Sequence, residues 1–295
     1  MTIERTANAV GAARPEFESP VEAAGNIGEI ARPLSPAERL FNIGALRVTM
    51  ILVILIVAWE LYARWLDNPL MFPTFGSVVG AMWQAIRDGE LLKRCATSLE
   101  TLVIGYAIGV AIAAVLTTFA VSTRIGTDFL RTLTAMLNPL PAIALLPLAM
   151  LWFGLGTPSI VFVLVHSVLW PVSLNTHSGF LSVTETLRMT GQNYGLRGLR
   201  YVMHILVPAA LPSILTGLKI GWAFAWRTLI ASELVFGVSS GSGGLGWYIF
   251  ENRNELQIAA VFAGLLAVIV IGLFVESVVF RSVEKITVLR WGMQR

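Results

Sequence analysis

Residues 189–212 read MTGQNYGLRGLRYVMHILVPAALP, a polar and basic segment set between long apolar runs. Glycines stand at 191, 195 and 198. Glycine reaches positive φ without a Cβ clash, so Gly195 suits the close of one short helix and the start of another. Beyond it Leu196, Leu199, Val202 and Met203 form an apolar stripe at helical spacing, with Arg197 and Arg200 off the stripe. Pro208 ends that helix or opens the next one. Taken alone, the pattern fits an amphipathic loop lying on a membrane surface as well as it fits a docking surface.

The flanking runs decide the fold class. Hydrophobic residues make up 56% of the chain and charged residues 13%, where a soluble domain carries roughly 25% charge. Mean hydropathy is +0.73. A bilayer core about 30 Å thick is crossed by roughly 20 helical residues. Six runs have that length: Leu46–Leu66, Ser98–Val121, Phe129–Phe153, Pro158–Leu181, Leu211–Phe236 and Leu256–Phe280. They are too long and too continuously apolar for barrel strands, so their backbone groups must be satisfied within helices. The expectation is an all-α, polytopic membrane protein with six transmembrane helices in a lipid bilayer.

Cationic residues orient it. With the 189–212 loop inside, so are Arg5, Arg14, Arg32, Arg39, Arg47, Arg124, Arg131, Arg188, Arg197, Arg200, Arg281, Lys285, Arg290 and Arg295. Arg64, Arg87, Lys93, Arg94 and Arg253 fall outside. Both termini are expected in the cytoplasm. The formal net charge of +3 follows from this asymmetry and calls for no nucleic acid partner.

Residues 1–44 differ in composition: small, charged, with Pro and Gly, and without the apolar core of a signal peptide. They are expected to form a cytoplasmic N-terminal arm, partly disordered. Ser35, Pro36 and Glu38 favour a short helix from about 36. Residues 45–94 hold the first span and an outer segment. Cys95 is the single cysteine, so neither a disulfide within the chain nor a cysteine metal site is available.

Several stretches together resemble the permease subunits of ATP-binding-cassette importers, nearest to the nitrate, taurine, alkanesulfonate and bicarbonate group. From Gly195 the chain runs nine residues to Ile205, then Val207 and Pro208. This is similar to the family's cytoplasmic loop signature, an acidic-Ala-Ala triplet followed by Gly, nine residues and Ile-x-Leu-Pro. Asn138 to Pro147 with Leu151 to Gly156 looks like the group's third span. Pro208–Pro212 with Leu215–Lys219 looks like the exit from the loop. Ala231–Leu234 and Gly244–Gly246 look like the end of the fifth span and the segment after it, and Phe72-Pro73 before Val78 resembles the outer segment.

The triplet itself is replaced by Met189-Thr190-Gly191. Glu185 and Gly191 have the triplet-to-Gly spacing but misplace the Ile-x-Leu-Pro end by four residues, so Gly195 is the preferred anchor.

The resemblance implies a type I importer permease fold with its core at 95–281, a coupling helix at about 189–200 and a cytoplasmic tail at 282–295. Thr190, Gly191, Tyr194, Gly195, Leu196, Arg197 and Leu199 would meet the ATPase. Implied partners are a second copy of the permease, two cytoplasmic ATP-binding subunits, and a periplasmic or extracellular substrate-binding protein. This chain would bind no cofactor. ATP and Mg would belong to the partner ATPase, and the location would be the bacterial inner membrane.

Other features bear on the pathway. Pro139, Pro141 and Pro147 remove backbone donors from the third span, and freed carbonyls are tolerated only against protein or a wet cavity. Arg227 and Glu233 are charges deep in the fifth span, six residues apart and off a common face. Arg227 has three open readings: partner of a carboxylate on another span, stabiliser of a dimer seam, or attraction for an anionic solute. In the resembled group a small polar residue stands near this position, so Arg227 is a departure. His166 and His177 are eleven apart, about 16 Å along a helix axis, too far for one metal ion. Pro141, Arg227, Glu233 and His166 are the candidate pathway residues.

Gly105/Gly109 and Gly217/Gly221 are small-xxx-small pairs that permit close helix approach. Gly241–Gly246 matches a dinucleotide-binding pattern but lacks the preceding strand, and reads as an outer loop.

Two other functional classes are open. A secondary transporter requires an internal repeat and paired ionisable residues at midplane; neither is evident. A membrane-embedded enzyme requires a convergent catalytic set, and none stands out. The leading expectation is half of an importer's pore for a small anion such as a sulfonate, nitrate, bicarbonate or carboxylate.

Overall fold

A computed structural model describes residue 42, residues 44–236 and residues 243–289. The helix start expected at Ser35–Glu38, residues 237–242 of the glycine-rich segment and the end of the tail lie outside the described residues. All described regular structure is helical. The chain divides into two units, residues 1–55 and 56–295. The first contributes the opening of helix α1, Gly44–Leu66, a continuous apolar helix.

In the second unit, the end of α1 meets an aromatic cluster. Trp59 lies 5.5–5.9 Å, centroid to centroid, from Phe72, Phe75 and Phe262, and its indole N–H donates to the Pro73 carbonyl at 2.9 Å. Helix α2, Phe75–Arg87, starts at Thr74, whose hydroxyl accepts from the Ser77 amide. Helix α3 runs Glu90–Ser122. Its 33 residues span roughly 50 Å, more than a bilayer core, which leaves room for the polar first turns that carry Glu90, Lys93 and Arg94.

The third expected span is a break rather than a kink. Helix α4, Arg124–Leu137, and the helical stretch Ala142–Phe153, whose α-helical part is α5, Leu146–Phe153, meet at 86°. Between them Asn138-Pro139-Leu140-Pro141 offers two residues without amide donors, and Pro141 is extended at ψ 122°. Two proline gaps so close together stop the hydrogen-bond ladder, where one would only bend it. Pro147 falls in the first turn of α5, where no donor is missed.

Helix α6, Thr157–Leu181, is the packing centre. It lies against α3 on one side and helix α9, Leu211–Phe236, on the other. The contact runs through glycine: a Cβ on Gly105 would sit 2.7 Å from the Leu164 Cβ, and one on Gly109 2.8 Å from the Val168 Cβ. Leu102, Leu164, Val168, Ala225 and Leu229 are buried in this seam. Gly105→Val is therefore expected to destabilise by about 1–3 kcal/mol through overpacking. Thermal unfolding of the purified protein checks it, and an unchanged midpoint would show that these helices can move apart.

Between α6 and α9 lie α7, Glu185–Asn193, and α8, Gly198–Tyr201, the latter continuing through wider turns to Ala209. That stretch meets α9 at 81°. Helix α10, Leu245–Asn254, precedes α11, Ile258–Phe274, which continues in helical turns to Leu289, beyond the Phe280 expected for the sixth span. Among the described residues four helices have the length and apolar character to cross a membrane: Gly44–Leu66, Glu90–Ser122, Thr157–Leu181 and Ile258–Val288. The two bent pairs, each taken as one span, bring the number to six.

Candidate functional site

Three places gather the polar groups that an apolar helical bundle does not need for packing. The first is the 185–201 hairpin. Gly195 adopts φ +74°, as its position in the sequence predicts, and Gly198 φ +55°. The Leu196 amide donates to the Gly191 carbonyl at 3.1 Å, which closes the turn. Arg188 holds the hairpin to the bundle: its guanidinium donates to the carbonyls of Phe180 and Val183 near the end of α6, at 2.6 and 3.1 Å. A cation there also complements the negative end of the helix dipole.

Tyr194 is 82% exposed and Leu199 65%. Thr190, Gly195 and Arg197 are exposed as well, and Leu196 is half-buried. Gly191 is buried; a Cβ there would come within 2.8 Å of Ile205 and 3.1 Å of the Tyr201 ring. Its place is to let the two arms of the hairpin close.

The second is a cavity of about 250 Å³ at the break between α4 and α5. Asn138, Pro139, Leu140, Pro141 and Ala142 form one wall. His166, Ser167, Trp170 and Pro171 of α6 form another, and Phe224, Arg227 and Thr228 of α9 close it. Pro141, His166 and Arg227, three residues from three different spans, thus meet in one place. The Arg227 Nε–H donates to the Ala223 carbonyl at 3.0 Å, and its guanidinium carbon stands 4.9 Å from the Phe224 ring centroid. Among the described residues Arg227 makes no ion pair. Both ring nitrogens of His166 and the indole nitrogen of Trp170 lack hydrogen-bond partners among the described residues. Asn138, Trp170, Phe224 and Thr228 are additions to the sequence reading. Phe224 and Thr228 stand three residues before and one after Arg227, so a search of the helix around that arginine would have found them.

Glu233 lies elsewhere, 6% exposed, at the third place. Its carboxylate accepts from the Ser98 hydroxyl at 2.8 and 2.9 Å and from the Gly246 amide at 2.8 Å. The Leu245 amide in turn donates to the Ser98 oxygen at 2.8 Å. A carboxylate at the start of α10 satisfies amides that the helix leaves unpaired. One turn further out on α3, Arg94 pairs with Glu251 at 2.8 Å and Glu90 at 3.3 Å and donates to the Gly243 carbonyl. The expected independence of Arg227 and Glu233 agrees with these separate partners. Among the described residues no three His, Cys, Asp or Glu side chains gather to hold a metal ion.

Residues 105–288 match the family described as binding-protein-dependent transport system inner membrane component. The chain belongs to this family. A putative aliphatic sulfonates transport permease of Escherichia coli is 30% identical over 240 residues, 81% of this chain and 89% of the relative. The taurine transport system permease of Escherichia coli is 28% identical, covering 78% and 84%. The nitrate import permease of Synechocystis is 25% identical, covering 86% and 96%. The family match contains the hairpin, the cavity and Glu233 of this permease, whereas Arg94 and Ser98 precede it. The sequence resemblance and the comparisons thus name the same group of ABC permeases.

Proposed function

We propose that this permease forms one half of the membrane pathway of an ATP-driven importer for a small anion of the sulfonate, taurine or nitrate class. A second copy supplies the other half. Two cytoplasmic ATPase subunits, which bind ATP and Mg, supply the work, and a binding protein outside the membrane delivers the solute. Both termini then face the cytoplasm of a bacterial cell, across its inner membrane. The observation that carries this reading is the 185–201 hairpin. It presents Tyr194 and Leu199 to solvent on a turn that a positive-φ glycine fixes, while Arg188 and buried Gly191 tie it back to α6 and the following helix. Large exposed apolar side chains on an otherwise polar, anchored loop favour a protein partner. Relatives that carry taurine, aliphatic sulfonates and nitrate support an anionic cargo.

Co-expression with the cognate ATPase and binding protein tests it. The expected result is a complex that survives purification and takes up solute into proteoliposomes only when ATP is present on the hairpin side. Uptake driven by an ion gradient without any ATPase would replace this reading with a secondary transporter.

A further inference from the structure

The cavity at the broken third span has the donor chemistry of an oxyanion site. We propose that it is a station in the pathway where a sulfonate or nitrate group is held by Arg227; the assignment rests on the permease reading above and adds the place and the charged ligand. Four observations carry it.

First, the guanidinium is half committed. Its Nε–H is engaged with the Ala223 carbonyl, and the Phe224 ring lies beside it, so the group is oriented. The remaining four N–H bonds, on Nη1 and Nη2, have no acceptor among the described residues. That fork is the geometry that grips two oxygens of one planar or tetrahedral oxyanion.

Second, the walls supply donors and no negative charge. Asn138, Thr228, His166 and Trp170 line the cavity, together with Ser167, whose hydroxyl already donates to the Leu164 carbonyl at 2.8 Å, and no Asp or Glu does so among the described residues. The Trp170 indole can only donate, and its buried nitrogen has no partner among the described residues. A ligand rich in acceptors suits such walls, and a cation does not.

Third, the size is right for a small solute. A volume of about 250 Å³ falls under the roughly 300–1,000 Å³ of sites for drug-sized ligands. Fourth, a charge in the middle of a spanning helix is costly and is retained where it faces protein or water. Arg227 is exposed on the second unit, so this face of α9 has to be covered by an aqueous path or by the second copy.

A competing role exists. Arg227 also lines a neighbouring cavity of about 230 Å³ with Glu276 of the last helix, and the two do not come within ion-pair distance. If Arg227 served only to balance Glu276, removing both charges would restore what removing one had cost.

The complete transporter in proteoliposomes decides between these. Uptake of [35S]taurine, [35S]ethanesulfonate and [15N]nitrate is measured with wild type, and the carried probe is then followed in Arg227→Gln, Arg227→Lys and the double variant Arg227→Gln with Glu276→Gln. The expected result for Arg227→Gln is roughly a tenfold fall in anion moved per ATP hydrolysed, with a raised KM for uptake. Arg227→Lys is expected to recover much of it, and the double variant none. A second, neutral perturbation, Thr228→Leu, narrows the cavity and is expected to lower uptake of ethanesulfonate more than of nitrate. Unchanged uptake in Arg227→Gln overturns the site, as does full recovery in the double variant. A wild type that hydrolyses ATP in response to its binding protein but carries none of the three anions overturns the anion assignment and leaves the permease reading standing. A wild type without ATP-dependent activity removes that reading, and the site with it.

Discussion

Replacing Glu233 with leucine is expected to lower the apparent melting temperature of this permease sharply, at a cost of about 2–5 kcal/mol. The carboxylate is 6% exposed and takes bonds from the Ser98 hydroxyl and the Gly246 amide. Leucine removes both acceptor oxygens, and its branched, slightly larger side chain adds a packing cost to the electrostatic one. It leaves two buried donors unsatisfied, each at about 1–3 kcal/mol, in surroundings where water does not readily replace the acceptor. It also removes the negative group at the start of α10. Glu233→Gln keeps one acceptor oxygen but turns an amide N–H₂ toward a donor, so an intermediate loss is expected. Ser98→Ala breaks the same node from α3 and should not add fully to Glu233→Leu, because both remove one hydrogen bond. Thermal unfolding in detergent, followed by tryptophan fluorescence, measures all three. A Glu233→Leu midpoint within about 2 °C of wild type would mean that the node carries no stability. The same node accounts for the neighbouring glycine: a Cβ on Gly246 would lie 2.6 Å from the Ile230 carbonyl, a backbone atom that cannot step aside.

How far the sequence foretold this structure depends on how far apart the interacting residues are. Spans carried by uninterrupted apolar runs were legible in place, though α3 starts at Glu90, eight residues before Ser98, and the last helix runs past Phe280 to Leu289. Leu211–Phe236 coincides with a helix, and Thr157–Leu181 starts one residue earlier than expected. Local chemistry was legible too, since the positive φ of Gly195 needs only the residues beside it. The third span is a single apolar run in the sequence, yet the prolines at 139 and 141 divide it into two helices that meet at 86°, a sharper bend than one missing donor produces. The Glu233 node was out of reach: Ser98 lies 135 residues away in sequence, and nothing in a run of apolar residues marks which hydroxyl will face a distant carboxylate. The glycines at 244 and 246 looked like loop residues, yet they sit under that carboxylate because no larger side chain fits there. Pro141, His166 and Arg227 could each be singled out by type, but their meeting in one cavity is a product of how α6 packs against α9.

The double substitution Tyr194→Ala with Leu199→Ala is expected to abolish ATP-dependent uptake while leaving the fold intact, provided that the hairpin is the surface that meets the ATPase. Both side chains point to solvent, at 82% and 65% exposure, so neither is needed by the bundle. Surface substitutions of that kind change stability by about 0.5 kcal/mol or less. At an interface the balance reverses: a buried aromatic or apolar anchor lost from the centre of a contact costs about 2–4 kcal/mol, or roughly 30- to 1,000-fold in affinity. Gly195→Val approaches the same contact from the backbone. No atom lies within 4 Å of a Cβ there, so the added bulk meets nothing. The cost is the positive φ itself, about 1–2 kcal/mol for an ordinary residue and more for a β-branched one. That strain is relieved by opening the turn and displacing Tyr194, so co-purified ATPase and uptake should fall together in Gly195→Val even though no apolar surface has been removed. Co-purification, uptake and melting temperature, read on the same preparations, separate the cases. Loss of ATPase and uptake at an unchanged melting temperature assigns the hairpin to docking. Wild-type assembly in the double variant would place the ATPase contact on another part of the inner surface and leave Tyr194 and Leu199 as membrane-surface residues.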